Sequence, residues 1–422
     1  MPDTALRAPA ATRPTLDQVA VPPAVLLVAM SYWPEPAGSA PMMTDLATSF
    51  AAAGAATTVL TARPNYPGQQ VYPEYADGRR DGEVADGVRI ERFLTIPPKG
   101  GGLRARFLHE GVLHSGFMTA RAGGRVPAHR AVLSLCPSIF SVAVADRCTA
   151  PGGRHVAVVH DIQSGLAGAL GLGGGLAVRA LRAVERLALN RADAVVVLSE
   201  PMRAVLRDLG VTVPVHVIPP YVDTDRIHPL PRLPDRPPTV LYSGAFARKQ
   251  GLEVVLDMAV ILHARMPGAR VVLRGQGGIE AELRERAGRM ALPNLSFEPL
   301  TPGHRLNEGL AEGDVHLVPQ RPEGAAFAMP GKAVTIMAAG RPFVCTCEAG
   351  SALERLGAEV GAFRCVPPGD AGAMAEAVAQ LLDNPAVCAA MGRRGRAWAE
   401  ENASRPVTLA RYARLLMGEE GR

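Results

Sequence analysis

No stretch of the sequence reaches the roughly 18 consecutive apolar residues that a membrane-crossing helix needs. The apolar run 21–30 is strand-like, and 165–181 is broken by glycines and by Arg179, so no membrane span is expected. Cysteine is sparse and badly spaced for pairing. Cys136, Cys148, Cys345, Cys347, Cys365 and Cys388 form no C-x-x-C pair and lack the density of a disulfide scaffold, which points to a reducing compartment. Histidine spacing suggests no metal site, and no metal or other cofactor is expected. A basic run that could grip nucleic acid is also missing: 45 Lys and Arg against 40 Asp and Glu leave a net charge of +5, scattered along the chain. Only a weak attraction to anionic lipid head groups is left open. The start of the chain lacks the basic-then-apolar order of a signal peptide, so residues 1–21, rich in Ala, Pro and Thr, are expected to be a flexible tail. Lysine is the scarcest basic residue. It occurs only at Lys99, Lys249 and Lys332.

What is present is the composition of a folded chain, 48% hydrophobic and 20% charged. At 422 residues it is long enough for two domains. Short β-branched or apolar runs at 24–30, 57–61, 130–135, 155–159, 194–198 and 215–218 alternate with helical stretches such as 40–53, the βαβ signature of a parallel sheet. The pattern stops where Pro219, Pro220, Pro229, Pro231, Pro234, Pro237 and Pro238 crowd together, and this segment reads as a linker over 220–238. It restarts with strands at 239–242, 270–273, 295–297, 314–318 and 342–345 and helices at 252–265, 279–290 and 332–339. The stretch 371–416 reads as helical with a polar break near 402–406. The expected organisation is an N-terminal domain over 22–219, a C-terminal domain over 239–400, and a helix over 401–422 that can cross back to the first domain.

Several loops could carry chemistry. After the first strand, Gly38 and Ser39 precede a helix whose N-terminus can hold an anion; an ordinary β-to-α turn explains them equally well. After the first strand of the second domain, Gly244 opens a loop that ends on Arg248 and Lys249, cations placed to meet a diphosphate leaving group. Gly275 follows the next strand, Lys332 opens a helix, and Gly350, Ser351 and Glu354 sit at another helix start, where amides can bind phosphate or Glu354 can simply offset the helix dipole. Two of the three lysines thus fall in loops singled out on other grounds, although either alone is what surface solubility would place. His160 and Asp161 follow a strand at the carboxyl edge of the first sheet, where open α/β sheets place ligands. A structural histidine is the plainer alternative.

The stretches Tyr32-Trp-Pro-Glu-Pro-Ala-Gly38, Asn65-Tyr-Pro-Gly68, Gly87-Val-Arg-Ile90, His160-Asp-Ile-Gln163, Arg191-Ala-Asp-Ala-Val-Val-Val-Leu-Ser199, Ser243-Gly-Ala-Phe-Ala-Arg-Lys-Gln-Gly251, Pro330-Gly-Lys332, Ala339-Gly-Arg-Pro342 and Gly350-Ser351 together resemble a known family. They are similar to the retaining glycosyltransferases of GT-B fold in family GT4, in the WcaI-type branch of colanic acid and exopolysaccharide biosynthesis. The likeness runs over nearly the whole chain after the tail. It implies an α/β fold with two Rossmann-like domains facing across a cleft, the first binding an acceptor and the second a nucleotide sugar. Carried onto this sequence, it implies Lys249 and His160 as catalytic residues. Gly244, Arg248, Lys249, Gly275, Lys332, Gly350, Ser351 and Glu354 become donor-site residues, and Gly38, Ser39, His160 and Asp161 acceptor-site residues.

The chain departs from the family at the glutamate pair that many members carry eight residues apart: Phe327 and Thr335 stand in those places. Neither can replace a carboxylate. The expected activity is transfer of a hexose or deoxyhexose from a nucleoside diphosphate sugar to a hydroxyl of a lipid-linked saccharide, with retention, in the cytoplasm and with peripheral contact at the inner face of the plasma membrane. Arg104, Arg106 and Arg121 beside Leu103, Phe107, Leu108 and Phe117 are the candidate surface for that contact; an ordinary helix packed on its own sheet is the alternative. A non-catalytic subunit that binds a nucleotide or a partner enzyme is the second reading, and a nucleotide-sugar epimerase the third.

Overall fold

The computed structural model describes residues 13–36, 39–66, 70–97, 103–136, 138–165, 175–232, 235–321 and 330–419, without the side chains of 103–107, 176, 177 and 352. Its contacts divide the chain into a first unit, 14–218 with 406–422, and a second unit, 219–405. Each is built on one sheet.

The first sheet contains β1 (Ala24–Val28), β2 (Ala56–Ala62), β3 (Gly82–Ala85), β4 (Val88–Phe93), β5 (His129–Cys136), β6 (Thr149–Val159), β7 (Ala194–Val197) and β8 (Val215–Val217). Its order is β3-β4-β2-β1-β5-β6-β7-β8. All neighbours run parallel except the β3–β4 hairpin, which turns on Asp86 and Gly87 at φ 50° and 75°. That left-handed backbone is what an Asp-Gly two-residue turn requires. Val25, Leu26, Leu27 and Val28 are all fully buried, as expected of a parallel strand covered on both faces. Met43, Leu46 and Phe50 of helix Ala40–Ala52 cover one face, together with Leu409, Tyr412 and Leu416 of helix Arg405–Met417. Leu113 and Phe117 of helix Leu103–Ala122 cover the other.

The second sheet contains β9 (Thr239–Ser243), β10 (Arg270–Arg274), β11 (Leu295–Glu298), β12 (Val315–Val318), β13 (Phe343–Thr346) and β14 (Phe363–Val366), in the order β11-β10-β9-β12-β13-β14 and parallel throughout. Helices Glu253–Arg265 and Ala371–Leu382 pack Leu256, Leu262, Met374 and Val378 on one face. Helices Gly331–Ala338 and Pro385–Ala403 pack Val334, Met337 and Ala399 on the other.

In each sheet the strand order reverses once, between β1 and β5 in the first and between β9 and β12 in the second. Loops leaving such a switch point diverge at the carboxyl edge and open a crevice for ligand.

The structure differs from the sequence reading in several places. Strands β3, β4 and β14 were not anticipated. The C-terminal helical stretch is three helices, broken at Asp383–Asn384 ahead of Pro385 as well as at Ser404. Part of the expected tail is packed: Leu16, Val19 and Val21 lie against the first core. The expected linker is held on the second unit, where Arg396 donates to the carbonyls of Thr224 and Ile227 at 3.0 and 2.6 Å and Arg236 pairs with Asp314 at 3.0 Å. Phe117, expected on a membrane-facing surface, is an interior residue whose ring meets Phe93 edge-on at 4.9 Å. The Arg104, Arg106 and Phe107 side chains lie outside the described residues, and Leu108 is exposed. Among the described residues no helix is long and apolar enough to cross a membrane.

Candidate functional site

In the first unit the loops after β1, β2 and β6 carry the polar groups at the carboxyl edge. Glu35, nearly buried, accepts hydrogen bonds from the amides of Asn65 at 2.7 Å and Tyr66 at 3.0 Å through Oε1, while its Oε2 is buried with no partner. Arg92, fully buried, ties the same loop down by donating to the Trp33 carbonyl at 3.0 Å and pairing with Glu83. His160 follows β6; its amide donates to the Cys136 carbonyl at 3.2 Å, and Nε2 is buried without a partner. Burial pushes its pKa down to about 4, against the smaller upward pull of Asp161. At neutral pH it is therefore an uncharged imidazole, able to hydrogen-bond a hydroxyl without bringing a charge. Glu185, fully buried on helix Gly175–Leu189, accepts from the amides of Gln163 and Ser164 and from the Ser164 hydroxyl, fixing the turn after His160. Burial raises its pKa.

In the second unit the centre of the site is a lysine. Lys332, at the start of helix Gly331–Ala338, lies with Nζ 4.1 Å from the centre of the Tyr242 ring and 3.4 Å from Gln250 Oε1. Its ammonium also stands over Gly244: a Cβ there would come within 2.9 Å of Nζ. Among the described residues no carboxylate pairs with it. Burial pushes its pKa down from 10.5 to about 7, and the charge of Lys249 adds to the fall. A cation held against an aromatic face beside a glycine loop, short of a counter-charge, is poised to receive an anion.

The other expected donor residues are placed as follows. Lys249 is exposed, and its carbonyl accepts from the Arg321 amide at 3.0 Å. Arg248 is exposed and paired with Glu282 at 3.0 Å. The Gly350 amide donates to Glu354 Oε2 at 2.6 Å, and Ser351 Oγ accepts from the Glu354 amide at 3.2 Å, so Glu354 and Ser351 cap helix Ala352–Val360 by occupying the amides that an anion would otherwise meet. Gly275 is buried and its amide is spent on the Glu298 carbonyl at 3.0 Å. Its necessity is steric: a Cβ there would stand 2.0 Å from the Gly244 carbonyl oxygen. Gly275→Ala is thus expected to push the β9 and β10 loops apart and cost about 3 kcal/mol. That should lower the unfolding midpoint of the second unit by roughly 6–12 °C, and an unchanged midpoint in calorimetry would show that the two loops can separate freely.

The sequence reading missed Tyr242, Gln250, Glu35 and Glu185. Gln250 and Glu35 lie inside the quoted motifs and Tyr242 immediately before one, but nothing in spacing marks which face they take. Glu185 carries no sequence signal beyond its place in a helix. In the acceptor region Ser39 occupies the N-cap of helix Ala40–Ala52 without a capping bond from its side chain, and Asp161 is half-buried. Gly38 lies outside the described residues. Thr335 donates to the Gly331 carbonyl at 3.2 Å within its own helix, and Phe327 lies outside the described residues.

Beside the lysine loop, a cavity of about 610 Å³ is lined by Arg248, Gly251, Glu253, Asp257, Gln320 and Arg321, within the size range of ligand pockets. A smaller hollow of about 420 Å³, with Arg232, Asp314 and Arg341, lies at the opposite strand edge, away from these loops.

Comparison with known proteins matches residues 37–221 to the glycosyl transferase 4-like domain and residues 237–384 to the glycosyl transferases group 1 model. A similar protein is the colanic acid biosynthesis glycosyl transferase WcaI of Escherichia coli K12, 30% identical over 85% of this chain and 92% of the relative. Another is a GDP-mannose-dependent alpha-(1-6)-phosphatidylinositol monomannoside mannosyltransferase of Mycolicibacterium smegmatis, 30% identical over 71% of this chain and 85% of the relative. Among solved structures, sucrose-phosphate synthase of Thermosynechococcus elongatus superposes with a TM-score of 0.71 at 20% identity, covering 94% of this chain and 97% of that one. Anabaena HepE in complex with UDP gives 0.67 at 15% identity, covering 94% and 99%. At these identities the structures speak for the fold, two parallel-sheet α/β domains of GT-B type.

Proposed function

This chain belongs to the group 1, GT4-type glycosyltransferases, and from that premise we propose that it moves a hexose or deoxyhexose from a nucleoside diphosphate sugar to a hydroxyl of a lipid-linked saccharide in surface-polysaccharide assembly, with retention. The observation that carries the donor half is the buried Lys332 ammonium, held against Tyr242 over Gly244 without a carboxylate. A donor diphosphate supplies the missing negative charge. As the sugar–phosphate bond breaks, charge gathers on the departing oxygen, and Lys332, Lys249 and the Gly244 loop are arranged to stabilise it. In this account the leaving phosphate oxygen takes the acceptor proton, and no metal is required. His160, neutral and with its Nε2 unsatisfied, suits a sugar hydroxyl in the first unit. The exopolysaccharide setting is supported by the Escherichia coli relative, a colanic acid biosynthesis glycosyl transferase, and a lipid-linked acceptor by the mycobacterial one, a phosphatidylinositol monomannoside mannosyltransferase.

The test is a thermal-shift panel of UDP-, GDP- and dTDP-sugars on the wild type and on Lys249→Ala. Stabilisation by one donor class, lost in the variant, is expected. If no donor shifts the midpoint, the donor assignment fails.

A further inference from the structure

Three of the six cysteines converge in the second unit. Cys345 is the next-to-last residue of β13, Cys347 follows the strand directly, and Cys365 lies on β14 in register with Cys345. The Cys345 and Cys365 sulfurs are 3.5 Å apart, and all three sulfurs lie within 4.8 Å of one another. Three sulfurs sharing one ion at a metal–sulfur distance of about 2.3 Å stand about 4 Å apart, so the triangle found here is already close to that size. Two of the sulfurs are buried with their residues and the third is half-buried. Among the described residues no His, Asp or Glu joins the group, which leaves an all-sulfur set with no hard oxygen ligand.

We propose that Cys345, Cys347 and Cys365 form a three-thiolate site for one thiophilic d10 cation of the zinc and cadmium class. Thiolate ligands select soft or borderline ions over magnesium or calcium, and a set of three protein ligands leaves a fourth position open. Binding replaces sulfur-bound protons, which pass to solvent, by metal–sulfur bonds, with no change of oxidation state. The ion also reaches the candidate donor loop. Cys347 leads directly into 348–351, and the Cys365 thiol lies 3.9 Å from the Leu353 carbonyl. A bound ion thus pins both ends of the turn that carries Gly350 and Ser351. This last consequence rests on the donor reading above; the site itself does not.

The experiment is an anaerobic titration of the reduced full-length chain with cadmium ion. One equivalent is expected to bind, with a thiolate-to-cadmium absorption band in the ultraviolet, and zinc ion is expected to compete for it. Cys347→Ser and Cys365→Ala should each weaken cadmium binding at least tenfold, while Cys388→Ala leaves it unchanged. Should either variant fold poorly, maleimide labelling of the wild type serves in its place: cadmium is expected to protect Cys347 and Cys365 and leave Cys388 labelled as before. Absence of a stoichiometric band, a band undiminished in both variants, or a Cys345–Cys365 disulfide in the freshly reduced protein overturns the proposal. Because no nucleotide enters the measurement, a chain that binds cadmium but no sugar nucleotide refutes the donor reading alone.

Discussion

Raising the pH from 6 to 8.5 is expected to weaken binding of the donor that the thermal-shift panel identifies by about thirtyfold, and Lys332→Met is expected to remove that dependence. The reason lies in the surroundings of the Lys332 ammonium. Burial, helped by Lys249, brings its pKa to about 7, so the free protein carries the charge at pH 6 and has largely lost it at 8.5. A diphosphate that binds the charged form loses up to about tenfold in affinity for each pH unit above 7. The phosphates of a nucleotide sugar do not titrate in this range, which isolates the lysine. At pH 6 the methionine variant should bind about thirtyfold more weakly, and kcat/KM should fall about 10²- to 10³-fold, the usual loss when a donor to a developing oxyanion is removed.

Stability should move the opposite way. The folded pKa lies below the unfolded one, so between 7 and 10.5 the unfolded state holds the extra proton and stability rises with pH; below 7 the cost of the buried charge is fully present. Methionine removes that cost. A fall from 10.5 to about 7 corresponds to about 5 kcal/mol, which partial access to water reduces to roughly 3 kcal/mol. A variant that binds more weakly yet melts higher at pH 6 is the signature to look for in paired calorimetry and titration. Affinity that is flat with pH in the wild type, or a slope that survives in Lys332→Met, would remove the lysine from the donor site.

The second large effect is on acidification. Burial holds His114, His155 and His160 of the first unit, and His316 of the second, down to about 4. The unfolded chain takes up protons at these positions near pH 6.5, while the folded one refuses them until about 4. Through that window the unfolded state binds more protons, so stability falls as pH falls, by about 1.4 kcal/mol per pH unit for each histidine. Three histidines set a slope of about 4 kcal/mol per pH unit for the first unit, against about 1.4 for the second. Calorimetric scans at pH 7, 6 and 5 are thus expected to resolve two transitions, with that of the first unit falling faster. His155, whose Nε2 meets Ser134 Oγ at 2.7 Å deep between β5 and β6, offers the control. His155→Gln should flatten the slope of the first unit by about a third. Parallel shifts of both transitions would assign the acid sensitivity to carboxylates instead.

How much of this could be read without coordinates follows from what periodicity encodes. The interior strands β1 and β7 are continuous apolar runs and β5 and β9 are mostly apolar, and such runs announce buried parallel strands wherever they stand. The hairpin β3–β4 escaped because its strands, at Gly82–Ala85 and Val88–Phe93, carry charged and exposed residues, although Asp86 and Gly87 were a legible turn signal. Strand β14 was hidden by its brevity and by Arg364 in its middle. In the site, glycine loops and lysines could be singled out because scarcity makes a residue conspicuous. Their roles could not. Whether Gly275 offers its amide or merely its missing side chain depends on how closely the Gly244 loop approaches, and whether Arg248 is free depends on Glu282, two helices away in the chain. The thiol cluster was invisible for the same reason: Cys365 joins Cys345 only through the register of β13 with β14.

Helix Arg405–Met417 has a consequence for how this protein is made. Leu409, Tyr412 and Leu416 fill the core beside Val25, Met43 and Phe50, so a sheet whose strands are all complete by Val217 waits on a helix that follows the second unit to be sealed. During translation that apolar face stays open while nearly two hundred further residues emerge from the ribosome. The first unit to be synthesised is thus the last able to finish folding, and a nascent chain halted after the second unit presents a sticky surface for chaperones to hold.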